Sequence, residues 1–221
     1  MRTTLDSRLP LIPQHLDLQF LPSGQTSHGV PTDQGHWLGR LLRGVRAGDG
    51  RLVINHAHVK DAPATLRLSS PAFAQGGAIP LRHAGGGLGD NLSPALSWTG
   101  APAGTAALVL VIQDPDAPLP RPVTHLLATG IAPTRKTFDE GELCPRVGNG
   151  VTLGRGLFGR VGYAGPRPLR GHGPHRYVFQ LLALEHPLAL PELPSLGDLL
   201  AALTPQTVLA WGALTGTFER A

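Results

Sequence analysis

Four short segments hold the residues able to do chemistry. The first is Asp114-Pro115-Asp116-Ala117-Pro118, two carboxylates two residues apart and framed by prolines. Such a turn has little conformational entropy left to lose on binding a ligand. A rigid turn with two solvated acids fits the same residues. The second is His125, near the start of the apolar run VTHLLATGI. Alone it reads as a satisfied core or edge histidine, and it gains a role only if another titrating group meets it. The third is Gly162-Tyr163-Ala164-Gly165-Pro166-Arg167-Pro168. Its glycines let backbone N–H groups turn toward an anion, and its prolines fix the shape, but no Walker or dinucleotide pattern surrounds it. The fourth is Gly171-His172-Gly173-Pro174-His175-Arg176-Tyr177. The His-x-x-His spacing invites zinc. Gly173 and Pro174 forbid the helical presentation such pairs use, and no Cys or third His lies nearby in sequence, so no metal site is expected. An imidazole donating to an anionic oxygen, its charge tuned by a nearby carboxylate, suits these residues better.

All four segments fall at strand ends or in loops, where binding residues collect on a rigid scaffold. ALVLVIQD (107–114) is a continuous apolar run ending in charge, which predicts a strand buried on both faces. VTHLLATGI (123–131) and HRYVFQLLAL (175–184) read the same way. TLRLSS and AIPLRHA alternate on either side of Gly76-Gly77, which predicts a pair of strands. Ser195, followed three residues later by Asp198, resembles a capping box that opens a helix over LLAAL. TVLAWGALTGTFER fits either period, with a strand favoured in its second half.

The first 60 residues read differently. Residues 1 to about 35 carry Pro10, Pro13, Pro22 and Pro31 and predict an extended or poorly ordered arm. Over 36–47, Trp37, Leu38, Leu41, Leu42 and Val45 recur at helical spacing, with Arg40, Arg43 and Arg46 on another face. This is a short amphipathic helix, ended by Gly48 and Gly50, expected to pack on its own domain or on a second copy of the chain. An acidic membrane surface is the alternative. The domain division is therefore an arm over 1–60 and a β-sandwich over 61–221.

Composition limits the function classes. The chain has 221 residues, 41% hydrophobic and 15% charged, enough to bury a core and too little charged to be disordered throughout. Gly and Pro are frequent without a repeating period, which favours short strands joined by many turns. The net charge is +4, and every cationic residue except Lys60 and Lys136 is Arg, the better planar partner for phosphate and carboxylate. These residues are mostly scattered, so no nucleic-acid role follows. The single Cys144 makes no internal disulfide. No window approaches the roughly 20 apolar residues of a membrane span, and no signal-peptide stretch opens the chain. A cytoplasmic location is expected.

Taken in order, DPDAP, a His opening a strand, GYAGPRP and GHGPHRYVFQLLAL resemble the phosphatidylethanolamine-binding protein family, in its bacterial Raf kinase inhibitor-like branch. NLSPALSW and APAGTAALVLVIQDPDAP match that branch too, and the resemblance covers about residues 64–220. It implies a mainly β, Greek-key-like sandwich with a few short peripheral helices. It also implies a pocket for phosphate, acetate or a phospholipid head group, with no cofactor. Carried over, Asp114 is the pocket carboxylate, His125 and His175 its histidines, Gly165 and Pro166 its backbone wall, and Tyr177 a lining residue. Asp116 supports the turn, and Pro118 is a candidate for a cis peptide. The family often places Trp beside the strand-opening His. Here Thr124 and Leu126 flank it, leaving Tyr163 or Trp98 as candidates for an aromatic wall.

Three functions remain open on these residues. The leading one is a non-enzymatic module for small anions, with Asp114 keeping one imidazole protonated and binding weakening above the histidine pKa. A hydrolase using Asp114, His125 and His175, with Ser93 as nucleophile, lacks a nucleophile elbow, and Pro94 follows Ser93 directly. The third is a protein-interaction or inhibitor module that reads an acidic or phosphorylated segment. A homodimer is expected from the helix at 36–47.

Overall fold

A computed structural model describes residues 36–145 and 150–220. The arm expected over 1–35 lies outside the described residues. Two antiparallel sheets form the fold, and the strands are β1 (Arg67–Ser69), β2 (Leu96–Thr99), β3 (Ala107–Asp114), β4 (Val123–Ile131), β5 (Thr137–Phe138), β6 (Thr152–Leu153), β7 (His175–Leu184) and β8 (Val208–Phe218). The smaller sheet has the order β1-β2-β5 and the larger β6-β4-β3-β7-β8. The runs 107–114, 123–131 and 175–184 are strands with the bounds their apolar sequence predicts, and β8 is extended along its whole length.

The core follows from period-two alternation along central strands that are buried on both sides. Leu108, Leu110 and Ile112 of β3 point between the sheets, where they meet Leu68, Leu96, Trp98 and Phe138 of the smaller sheet. Val109 and Val111 point outward, under Val53, Val59, Leu199 and Leu203. Each fully buried aliphatic side chain contributes about 1.5–3 kcal/mol relative to exposure. The outer face is roofed by α2 (Leu196–Ala202), whose first turn is closed by the predicted box: Ser195 Oγ accepts from Asp198 N–H, and the Asp198 carboxylate accepts from Ser195 N–H.

Two local expectations fail. AIPLRHA is no partner of TLRLSS: β1 pairs with β2, and Leu81–His83 is a single 3-10 turn. Pro80 precedes that turn, and the Ala78–Thr217 bridge to β8 takes the place of a hairpin. The helix of the N-terminal region, α1 (His36–Leu41), is shorter than 36–47 and continues only as turns. Its apolar stripe is also left uncovered by the described residues. Trp37, Leu38, Leu41 and Val45 are exposed, while Gly39 is the buried residue. A Cβ at Gly39 would collide with the Arg170 carbonyl oxygen, so the helix seats itself by backbone approach instead of by its apolar stripe.

Candidate functional site

β3 ends in Asp114, and its side chain builds the turn that follows. Oδ1 accepts the N–H groups of Asp116 at 2.7 Å and Ala117 at 3.0 Å. Oδ2 accepts from His175 Nδ1 at 2.8 Å, bringing the start of β7 onto the end of β3. All described peptide bonds are trans, so the cis bond expected near Pro118 is absent. The turn takes its shape from the carboxylate's two backbone bonds. Asp116 faces away from the pocket. It accepts from the backbone N–H, Nε and Nη2 of Arg176 and pairs with Arg46. Burial pushes its carboxyl up, but the hydrogen bonds of Arg176 outweigh this and hold it below the usual carboxylate range.

His125 reaches the same site through a β-bulge. Ile112 pairs with Leu126 and Gln113 with Thr124, so His125 is an extra residue of β4 with no partner on β3. Its ring stands edge-on to Tyr177, with centroids 5.0 Å apart. Nδ1 donates to the Ala164 carbonyl at 2.5 Å, leaving Nε2 as the ring's uncommitted position. Burial lowers the His125 pKa below 6.5, outweighing the charge of Asp114 and the Ala164 carbonyl, and His175 adds to the lowering. The ring is therefore neutral near pH 7, with the Nε2 lone pair free.

Tyr177 is buried, and its hydroxyl has no hydrogen-bond partner among the described residues. The Arg167 backbone N–H lies near it without forming a well-aligned bond. Burial and then the charge of Asp114 push its pKa up, so it stays a phenol able to donate.

The opposite wall is backbone. Gly165 donates its N–H to Asn91 Oδ1 at 2.8 Å, and a Cβ there would collide with the His83 carbonyl. Asn91 holds a left-handed φ of 55° that its residue type tolerates. Asp114, His125, Gly165, His175 and Tyr177 thus line one cavity of about 300 Å³ together with Pro118. Pro166 does not line it but accepts from Gly85 N–H at 3.0 Å. Tyr163 lies behind the wall and donates to the His83 carbonyl at 3.0 Å. Trp98 is a core residue packed on Phe138, so it forms no part of an aromatic wall.

Sequence reasoning missed Phe158 and Arg160 and gave Arg167 of the third segment no role of its own. Phe158 is 90% exposed with a left-handed φ of 52°, and it lines the cavity together with Arg160 and Arg167. Neither guanidinium has a side-chain partner among the described residues. An aromatic between two glycines (Gly156, Gly159) and followed by Arg160 was the available signal. Ser93, the nucleophile of the hydrolase alternative, is fully buried and accepts the Leu143 N–H at 3.1 Å, outside the cavity.

Behind the pocket the two histidines of GHGPH form a row. His175 Nε2 lies 2.8 Å from His172 Nδ1, and His172 Nε2 lies 2.8 Å from the Leu42 carbonyl and 3.2 Å from that of Val45. The pair therefore bonds to itself. With Asp114 ionised, every contact in the row is satisfied only when the two rings share three protons: His175 donates to Asp114 and to His172, and His172 donates to Leu42. With two ring protons, a lone pair would face a lone pair somewhere along it. The last acceptors belong to the turns after α1, which are held by Arg43 Nε on the Gly171 carbonyl, Ala47 N–H on Ala117 and Gly48 N–H on Pro115.

Comparison with known proteins agrees with this architecture. The phosphatidylethanolamine-binding protein family model matches residues 69–219. A UPF0098 protein of Aquifex aeolicus is 35% identical over 173 residues, covering 77% of this chain and 98% of the relative. A protein of Mycobacterium tuberculosis whose name marks it as a candidate lipoprotein, LppC, is 39% identical over 160 residues, covering 72% of this chain and 75% of the relative. The crystal structure of Escherichia coli YbcL, described as a new member of the mammalian PEBP family, superposes with a TM-score of 0.64 at 27% identity, covering 72% of this chain and all of YbcL. No helix among the described residues is long and apolar enough to cross a membrane. The sandwich, the order of its motifs and these matches lead to one statement: the chain belongs to the phosphatidylethanolamine-binding protein family.

Proposed function

We propose that this chain is a binding protein whose pocket takes a small anionic group: a phosphate, a carboxylate or a phospholipid head group. The Tyr177 hydroxyl carries the reading. It is a buried donor without a partner, beside a His125 nitrogen that is also uncommitted, and such a group costs stability unless a ligand satisfies it. Arg160 and Arg167 at the mouth supply the positive charge that offsets Asp114. Binding a dianion draws a proton onto His125 Nε2, which turns the lone pair into a second donor.

Hydrolysis fits the same residues poorly. Both ring nitrogens of His175 are committed, to Asp114 and to His172, so it has no free position to activate a nucleophile. The exposed apolar residues of α1 are assigned on this reading to a second copy of the chain, giving a homodimer that leaves the pocket open.

Titration calorimetry with inorganic phosphate, sulfate and phosphoethanolamine tests the pocket. Saturable binding is expected, weakened about five- to tenfold in Tyr177→Phe, the worth of one hydrogen bond of ~1 kcal/mol. Stability should be unchanged or raised, because the variant removes an unpaired buried hydroxyl. Absence of saturable binding by the native protein, or equal affinity in Tyr177→Phe, overturns the assignment.

A further inference from the structure

The same sheet carries a second cavity on its other face. Gln113 and Thr124 are paired across β3 and β4 and point away from the Asp114 pocket, toward the outer layer. There the 50–57 turns, the start of β4 and α2 enclose about 570 Å³, within the usual range of roughly 300–1,000 Å³ for small-molecule sites. We propose that this cavity is a second ligand site, taking an organic anion with an apolar body.

Three observations carry the proposal. The wall is chemically divided. Leu52, Leu196 and Leu200 give an apolar side, and Arg51 and Arg121 stand at the rim. Neither arginine has a hydrogen bond or a carboxylate partner among the described residues, and no Asp or Glu lines the cavity. The Asp114 pocket differs on this point, since it contains a carboxylate. Guanidinium groups bind planar or tetrahedral anions in a fixed fork, and two unpaired ones beside an apolar wall favour a ligand with a charged head and an apolar body.

The third observation lies at the base. Gln113 is fully buried, as is Gln180 beside it, in a mainly apolar layer. Its Oε1 accepts from the Val53 N–H and from Gln180 Nε2, both at 2.9 Å, and Gln180 Oε1 accepts from the Ile54 N–H at 2.9 Å. The two amides thereby fix the turn that forms one wall. These bonds settle the orientation of the Gln113 amide and leave its Nε2 buried and without a partner. An unpaired buried donor beside a cavity calls for an acceptor. A ligand whose body also carries a hydrogen-bond acceptor would gain this bond in addition to the charge and apolar contacts that a simple carboxylate with an alkyl body already makes.

The proposal is independent of what occupies the Asp114 pocket, and its test separates the two. The full chain is titrated calorimetrically with octanoate as the anionic probe and octanol as its neutral counterpart, in inorganic phosphate at a level that occupies the Asp114 pocket and so blocks carboxylate binding there. Octanoate is expected to bind saturably and more tightly than octanol. Arg51→Gln and Arg121→Gln, both at exposed positions, are each expected to weaken octanoate about fivefold, the scale of one partly exposed ion pair. Leu200→Trp, which fills the cavity and keeps its charge, should abolish binding, and Tyr177→Phe should leave it unchanged. Equal affinity for octanol and octanoate, no effect of either arginine substitution, or loss of octanoate binding in Tyr177→Phe would each overturn it.

Discussion

Replacing His172 with Leu tests whether the row behind the pocket holds the N-terminal turns and the site together. The side chain is fully buried and bridges His175 Nε2 to the carbonyls of Leu42 and Val45. Leucine fills much of the volume but offers no donor and no acceptor. The His175 nitrogen is then orphaned in the interior, and the Leu42 carbonyl loses its donor at a site water partly reaches. A buried polar group left unpaired costs ~1–3 kcal/mol, so the pair predicts a loss of about 2–4 kcal/mol. For a chain of this size that is a fall in Tm of roughly 5–15 °C. Urea denaturation followed by tryptophan fluorescence is the assay, with an unchanged slope required so that the midpoint reports stability. His172→Gln keeps a donor and an acceptor and should recover part of the loss. Gly39→Ala should unseat α1 and disturb the row with it, because its Cβ meets both the Arg170 carbonyl and the His172 backbone nitrogen. If His172→Leu lies within ~0.5 kcal/mol of the native protein, the size of an ordinary surface substitution, the row is not a structural link.

Other outcomes follow from the same geometry. Gly165→Ala should remove phosphate binding and destabilise by about 1–3 kcal/mol, since the new methyl meets the His83 carbonyl and the backbone must shift; unchanged binding would show that this wall is slack. The pH dependence rests on His125, whose folded pKa lies below 6.5. Its folded form resists protonation, so stability is lost as pH falls through 6.5 and is retained above it. A bound anion favours the protonated ring, so sulfate, which does not itself titrate in this range, should bind more tightly as pH falls, by at most about tenfold per unit. A flat sulfate profile between pH 5 and 8 would remove His125 from the binding step. Leu41→Glu, on the exposed face of α1, should convert a dimer to a monomer in light scattering with phosphate affinity retained, and a native protein already monomeric would refute the dimer.

Much of the frame was legible in the chain. The apolar runs at 107–114, 123–131 and 175–184 are long enough and bounded sharply enough by turns to fix three central strands, and Ser195 with Asp198 fixed the start of α2. These features depend on neighbours in sequence, where periodicity and capping act. AIPLRHA misled because alternation without a partner strand is not a strand, and Pro80 and the pairing of β1 with β2 decided against it. The stripe of α1 left its partner open for a related reason. Periodicity tells which residues share a face, not which face is covered, and Gly39 settled the latter by its lack of a side chain.

The four chemical segments show the same division. Their residue types were readable, and Asp114, His125, Gly165, His175 and Tyr177 do meet in one cavity. Strict alternation along VTHLLATGI would put His125 on the face of Leu127, away from Asp114. One extra residue in β4 places it on the face of Leu126 instead, because a bulge breaks the period of two. His172 and His175, three apart, invited a metal by spacing alone. Only the packing of the 42–48 turns against the start of β7 supplies the carbonyl acceptors that make them a hydrogen-bonded row. Composition and order therefore determined the chemistry on offer, whereas strand register and long-range backbone contacts decided that His125 Nε2 is the ring nitrogen left uncommitted.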